Sequence, residues 1–283
     1  MSSTSEIAES LAQLYLNKSD TLLLHGRSRE KLDSLVTRLR EIEPKADLVR
    51  LPLMDLVVPR YSVEPVASSN LDLQYAKWFD DVVYEYGLPN YMIIAGGGTS
   101  SYMKDSGVVH LNILSTMLCC EHYLRKIEEN AHNQKYSGKI FRVVYFGSGA
   151  ADIRYTTYCR AKWMIEKYMD TLRRGVSNQL ETNSEIKKIH FQYAKIGPVD
   201  TKMLSSYRHK IWNSREKSIV SRMVRWGMIK VVDLFKVTPD DVAKSIYYGI
   251  EMNRSNFYAP TFMGYMSMLG FPFFWIVRRF MIN

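Results

Sequence analysis

The sequence predicts an α/β protein, a doubly wound parallel sheet with helices on both faces, and three observations carry that prediction. Short apolar runs of strand length alternate with amphipathic stretches of helical period. The connections between them are short, as a strand–helix alternation requires. Five of the apolar runs end in residues able to bind or react, Arg27, Asp55, Gly96, Ser148 and Pro198. Ligands of such sheets bind at the carboxyl ends of the strands, so that coincidence points to a site.

The elements follow in order. SEIAESLAQLYL (5–16) is amphipathic and predicts an opening helix, and TLLLHG (21–26) predicts the strand after it. SREKLDSLVTRLREIE (28–43) predicts a helix and ADLVRLPLMDL (46–56) a strand. NYMIIAGGG (90–98), KIFRVVYFGS (139–148) and KIHFQYAKIGP (188–198) are the remaining strands. Between them HLNILSTMLCCEHYLRKIEE (110–129) and YCRAKWMIEKYMDTLRRGV (158–176) have helical spacing. Residues 1–258 are read as the catalytic, nucleotide-binding domain, with 202–237 as a lid and 259–283 as an apolar tail.

A chain of 283 residues with 46% hydrophobic and 24% charged residues buries a substantial core, which excludes a disordered protein. The net charge of +9 favours anionic partners such as a phosphorylated cofactor or an acidic membrane surface. No zinc-finger spacing or basic-aromatic motif accompanies it, so no nucleic acid partner is expected. Cys119, Cys120 and Cys159 form an odd set, and the adjacent pair does not bridge easily, which predicts free thiols in a reducing compartment. The six histidines have no metal-ligand spacing, and no metal is expected. MSSTSEIAESLAQ has neither a basic start nor an apolar core and does not read as a signal peptide.

Two segments suit a membrane surface. FMGYMSMLGFPFFWIV (262–277), followed by Arg278 and Arg279, is short and interrupted for a spanning helix but suits an interfacial one. A buried terminal helix or a dimer contact is the alternative. From Lys202 to Lys236 the chain is basic and aromatic, and Arg222 and Arg225 alternate with Ile219, Val220, Met223, Val224, Trp226 and Met228. That pattern suits a helix lying on lipid, or a solvated face with an apolar stripe. The expected location is therefore the cytosolic face of a membrane, of the endoplasmic reticulum or a lipid droplet, with soluble cytoplasmic second.

Tyr158 lies four residues before Lys162 and ten after Ser148. A chain with 19 tyrosines contains roughly one Tyr-x-x-x-Lys pair by chance, so the spacing gains meaning only from its surroundings. Those surroundings resemble the short-chain dehydrogenase/reductase family over nearly the whole chain. IIAGGG (93–98) resembles the family's Asn-Asn-Ala-Gly strand end, with Ile93 and Ile94 in place of the asparagines. Leu111-Asn112-Ile113 resembles the helix of the catalytic Asn, and VVYFGSG (143–149) the strand delivering the catalytic Ser. IGPVDT (196–201) is similar to the segment closing over the nicotinamide, with Gly197 and Pro198 exchanged, and TPDDVAKSI (238–246) to a late helix. Within the family, the AGG arrangement, the basic loop and the ending WIVRRFMIN resemble membrane-associated 3-ketosphinganine reductases. The steroid and retinol dehydrogenases match about as well.

The resemblance implies a Rossmann-like fold and a carbonyl reductase or alcohol dehydrogenase for a lipid-like substrate, with Tyr158, Lys162, Ser148 and Asn112 catalytic. Tyr158 would be the proton donor, and Lys162, one helical turn on, would stabilise its phenolate. Ser148 would bind the substrate oxygen and Asn112 a water linking Lys162 to solvent. An exposed pair on an amphipathic helix is the plain alternative for Tyr158 and Lys162. Cofactor contacts would come from Arg27, Ser28, Asp55, Ala95, Gly96, Lys162, Pro198, Val199 and Thr201. Arg27 and Ser28 after the second strand suit the 2′-phosphate of NADP(H) better than the ribose of NAD. A solvated Arg, and a helix-capping role for Asp55, are the alternatives there. A homodimer through the helices of Asn112 and Tyr158 is also implied.

One departure stands out. The family opens with a strand and a Gly-x-x-x-Gly-x-Gly turn that lets backbone amides close on pyrophosphate. SSTSEIA (2–8) stands where that turn should fall, so the first strand and its glycines are expected to be absent. Two readings follow: the sequence starts inside a longer product, which leaves a normal enzyme, or the first strand is lost, which predicts weak cofactor binding and, as the competing function, a scaffold of the same fold.

Overall fold

The computed structural model describes residues 5–18, 21–26, 28–51, 68–97, 104–152, 156–180, 188–202, 204–205 and 236–261. The first described element is helix α1 (Glu6–Tyr15), capped by Ser5, whose hydroxyl accepts the Ala8 N–H. Strand β1 (Leu22–Leu24) and helix α2 (Arg29–Ile42) follow, then β2 (Leu48–Arg50). Helix α3 (Ser68–Tyr86) leads to β3 (Tyr91–Ile94). Helix α4 (Asp105–Val109) passes through a π-helical turn (His110–Leu114) into α5 (Ser115–Glu129). Strand β4 (Ile140–Phe146), helix α6 (Thr157–Leu180) and strand β5 (Lys188–Ile196) complete the centre. Helix α7 (Pro239–Glu251), capped by Thr238 with Pro239 in its first turn, precedes β6 (Asn256–Ala259). The described parts of the predicted helices and strands are present; α3 and β6 are additional, although Leu71, Tyr75, Phe79 and Val82 of α3 recur at helical spacing.

Among the described residues all strand pairs are parallel, and they form two sheets, β1-β2 and β3-β4-β5-β6. Alternation along the strands divides the core. Phe141, Val143 and Tyr145 of β4 and Phe191 and Tyr193 of β5 face α3, α5 and α6, where Tyr75, Tyr123, Ile165 and Met169 meet them. Val144, Phe146 and Ala194 face α1 and α7, against Leu11, Val242, Ile246 and Ile250. A smaller third core joins Leu24 and Leu48 to Leu32, Leu35 and Leu39 of α2.

Helix α1 ties these parts together. Tyr15 donates to Glu251 of α7 at 3.1 Å, and Arg38 of α2 makes two bonds to Glu9 at 2.7 and 2.9 Å. Among the described residues no helix is long and apolar enough to cross a membrane. The three cysteines are free and buried, as the sequence predicts.

Candidate active site

Strand β4 ends at Phe146, and the chain turns through Gly147 and Ser148 before a short 3-10 turn (Gly149–Asp152). A β-carbon at Gly147 would overlap the ring of Tyr193 on the neighbouring strand, so only glycine lets the chain pass here. The Ser148 N–H is bonded to the Tyr193 hydroxyl, which in turn donates to the main-chain carbonyl of Lys162 at 2.9 Å. Tyr193 thereby straps the strand end carrying Ser148 to α6. At the start of α6 the Thr156 hydroxyl accepts the Cys159 N–H at 3.2 Å, which fixes the turn that presents Tyr158.

The side chains of Ser148 and Tyr158 are hydrogen-bonded to each other. Both residues are half-buried. Burial pushes the Tyr158 phenol up to about 12, partly opposed by the Ser148 bond, so the phenol holds its proton at neutral pH. Lys162 is 3% exposed, and burial pushes its ammonium down to about 7. Its Nζ donates to the Tyr145 hydroxyl at 2.8 Å and to the Phe146 carbonyl at 2.9 Å, and lies 5.7 Å from the Tyr158 ring centre. The fourth predicted residue, Asn112, is buried within the π-helical turn, its amide donating to the Val108 carbonyl at 2.8 Å. A β-carbon at Gly97 would stand 3.0 Å from Lys162 Nζ and 3.3 Å from Asn112 Oδ1. All four predicted catalytic residues thus meet at one end of the four-stranded sheet.

The predicted cofactor residues are placed unevenly. Gly96 is buried after β3, and Ala95 packs against the α1–α7 core. Val199 is buried and bridges Val237, while the Thr201 hydroxyl donates to the Val199 carbonyl at 3.3 Å. The Pro198 carbonyl accepts the Val237 N–H at 3.2 Å. Ser28 caps α2, accepting the Lys31 N–H at 3.3 Å, and keeps its own O–H for a further acceptor. Arg27 and Asp55 lie outside the described residues, as do most of the proposed lid (206–235) and tail residues 262–283.

The amino end of α1 lies beside this closing segment, where the Glu6 carboxylate accepts the Lys202 N–H at 3.3 Å. Glu6 and Glu9 make its first turn acidic. That suits the helix dipole but meets a phosphate with like charge. Among the described residues no group of His, Cys, Asp and Glu could hold a metal ion.

The sequence does not single out Tyr145, Tyr193, Gly147 or Gly97. The available signal is a tyrosine near the carboxyl end of each of two strands, since a buried phenol needs a partner for its hydroxyl.

No protein-family model matches the sequence, and no curated protein matches it. Solved structures do match in fold. A short-chain dehydrogenase/reductase from Burkholderia phymatum in complex with NAD superposes with a TM-score of 0.61 at 14% identity, over 98% of this chain and 89% of that one. A short-chain dehydrogenase from Sphingobium yanoikuyae in complex with NADPH gives 0.58 at 16% identity, over 91% and 85%. A short-chain oxidoreductase from Pseudomonas aeruginosa containing an atypical catalytic center gives 0.60 at 15%, over 87% and 86%. The fold is the Rossmann-like α/β fold of these proteins.

Proposed function

We propose that the protein is an NADP-dependent oxidoreductase that reduces a ketone of a lipid-like substrate, or oxidises the corresponding alcohol. The observation that carries this reading is the bonded pair of hydroxyls, Ser148 and Tyr158, beside a buried lysine on this fold. The similar solved structures include one with NAD and one with NADPH, which supports a nicotinamide cofactor of either kind. The choice of NADP rests on Arg27 and Ser28. Gly97 supports the fit, because a side chain there would press on Lys162 Nζ and Asn112 Oδ1. Lys162, Gly96, Ala95, Pro198, Val199 and Thr201 would hold the cofactor at this end, and Arg27, Ser28 and Asp55 at the other.

When bound, the cofactor supplies the hydride. Ser148 and Tyr158 hold the substrate oxygen between their hydroxyls. As negative charge develops there, Tyr158 gives up its phenolic proton, and the Lys162 ammonium stabilises the phenolate left behind. A phenol that keeps its proton at neutral pH suits the donor role in reduction. The basic segment 202–236 and the apolar segment beyond β6 (262–283) would bring the enzyme to an acidic membrane surface where a lipid-like substrate resides. A homodimer through the helices of Asn112 and Tyr158 belongs to the same reading.

The acidic first turn of α1 favours a second reading, a scaffold that has kept the fold but binds nucleotide poorly. Fluorescence titration with NADPH and NADH separates the two. Micromolar affinity with NADPH preferred supports the enzyme, and binding of neither supports the scaffold. In a binding-competent protein, Tyr158→Phe is expected to lower turnover by about 10²- to 10⁴-fold with NADPH affinity retained; unchanged turnover removes Tyr158 from the mechanism.

A further inference from the structure

The geometry points to Tyr145 as a positioning residue that holds the Lys162 ammonium in place beside Tyr158. The inference rests on the proposed pairing of Lys162 with Tyr158, but its first test does not.

Lys162 Nζ has two described hydrogen-bond acceptors, the Phe146 carbonyl and the Tyr145 hydroxyl, and it also lies 4.5 Å over the Tyr145 ring. Tyr145 is fully buried. Its oxygen accepts from Lys162, is bonded to the Thr116 hydroxyl, and donates to the Asn112 carbonyl at 3.4 Å. One phenol thus joins the lysine of α6 to the π-helical turn of Asn112. The turn contributes by its register, in which Ser115 N–H bonds to the carbonyl of His110, five residues back. Tyr145 pairs in register with Tyr193 across β4 and β5, with ring centres 5.7 Å apart. The two hydroxyls divide the work. Tyr193 holds backbone, the Lys162 carbonyl and the Ser148 N–H, whereas Tyr145 holds the charged group itself.

A charge-assisted bond to a buried ammonium favours the charged form. Removing the Tyr145 oxygen leaves Lys162 with less compensation for burial, so its protonated state is expected to weaken. The other titratable groups around it are Tyr158 on its own helix, Tyr193 on β5, Cys120 beyond Tyr145 on α5, and Glu166 one turn along α6. Glu166 bonds Lys195 of β5 through Oε1 at 3.0 Å, and its Oε2 is buried without a hydrogen-bond partner among the described residues.

The test compares Tyr145→Phe with Tyr193→Phe, each removing one oxygen from a retained ring. In the ligand-free protein labelled with ¹³C at lysine Cε, the Lys162 resonance is assigned by its loss in Lys162→Met and followed against pH. Its midpoint is expected to fall in Tyr145→Phe and to stay in Tyr193→Phe; an unmoved midpoint in Tyr145→Phe overturns the inference. In turnover with NADPH and a ketone, Tyr145→Phe is expected to move the alkaline limb of the kcat profile to lower pH and to cut kcat about tenfold at pH 8, with a smaller change in KM. A uniform loss at every pH would mark a packing role and overturn it too. Should Tyr145→Phe fail to fold, the unaltered protein decides. With ¹³C at tyrosine Cζ, the Tyr145 resonance is expected to follow the Lys162 titration with the same midpoint, and independence overturns the proposal. A wild-type protein that transfers no hydride would sink the oxidoreductase reading, while the lysine titration would still decide the role of Tyr145.

Discussion

The two sheets of the molecule are built to different standards. The four-stranded sheet has strands of up to nine residues, a core on each face and every predicted catalytic side chain, tied by bonds that reach main chain as well as side chain. The two-stranded sheet has strands of three residues, one smaller core and, near its strand ends, Ser28, whose described bond caps a helix. The contrast matches the two tasks proposed for them. Proton transfer needs groups fixed in a dry setting, whereas recognition of a ribose or phosphate is served by solvated donors.

Three substitutions sharpen or break this comparison. The largest effect is expected from Gly147→Ala, which sets a methyl group against the buried Tyr193 ring and should cost about 3 kcal/mol of unfolding free energy in urea. A loss below about 0.5 kcal/mol would mean that the four-stranded end is not tightly built.

Next comes the buried charge. The unfolded chain holds the Lys162 proton up to its ordinary pKa of 10.5, while the folded protein releases it near 7. Below pH 7 the full cost of burying the charge is present. Between 7 and 10.5 the unfolded state binds more protons, so this group's contribution to stability rises with pH. Relative to Lys162→Met, the wild type should gain up to about 1.4 kcal/mol per pH unit over pH 7 to 9. That range stays below the pH at which Tyr158, raised to about 12, acts with the opposite sign. Equal stability differences at pH 6 and pH 9 would show that Lys162 is solvated.

The smallest effect is expected on the other sheet. Ser28→Ala removes the cap of α2 and should cost about 1 kcal/mol, with a modest loss of NADPH affinity and none for NADH. Equal losses for both cofactors would remove Ser28 from the recognition of a 2′-phosphate.

Much of this arrangement is legible in the sequence, because strand and helix periods survive wherever one face is buried. The run VVYFGSG and the helix from Tyr158 are recognisable one by one, and parallel pairing brings their ends together. Strand β6 is not legible, since it has four residues and the apolar ring of half-buried Tyr258 between buried Phe257 and Ala259 blurs its alternation. Nor are the roles of Tyr145 and Tyr193, for which the sequence shows two strand tyrosines but not the register that sets them side by side. The π-helical turn at Asn112 is hidden for a similar reason, as its residues have ordinary helical composition. Gly147 looks like any glycine after a strand until the Tyr193 ring is seen across it.

That last fit bears on how the protein can change over generations. A side chain at position 147 is tolerable only after position 193 has shrunk, and shrinking Tyr193 first opens a hole and releases Ser148 from α6. Each single step is a loss, so a lineage crosses between alternatives at these two sites only by changing both together, and substitutions at 147 and 193 should be found as a linked pair.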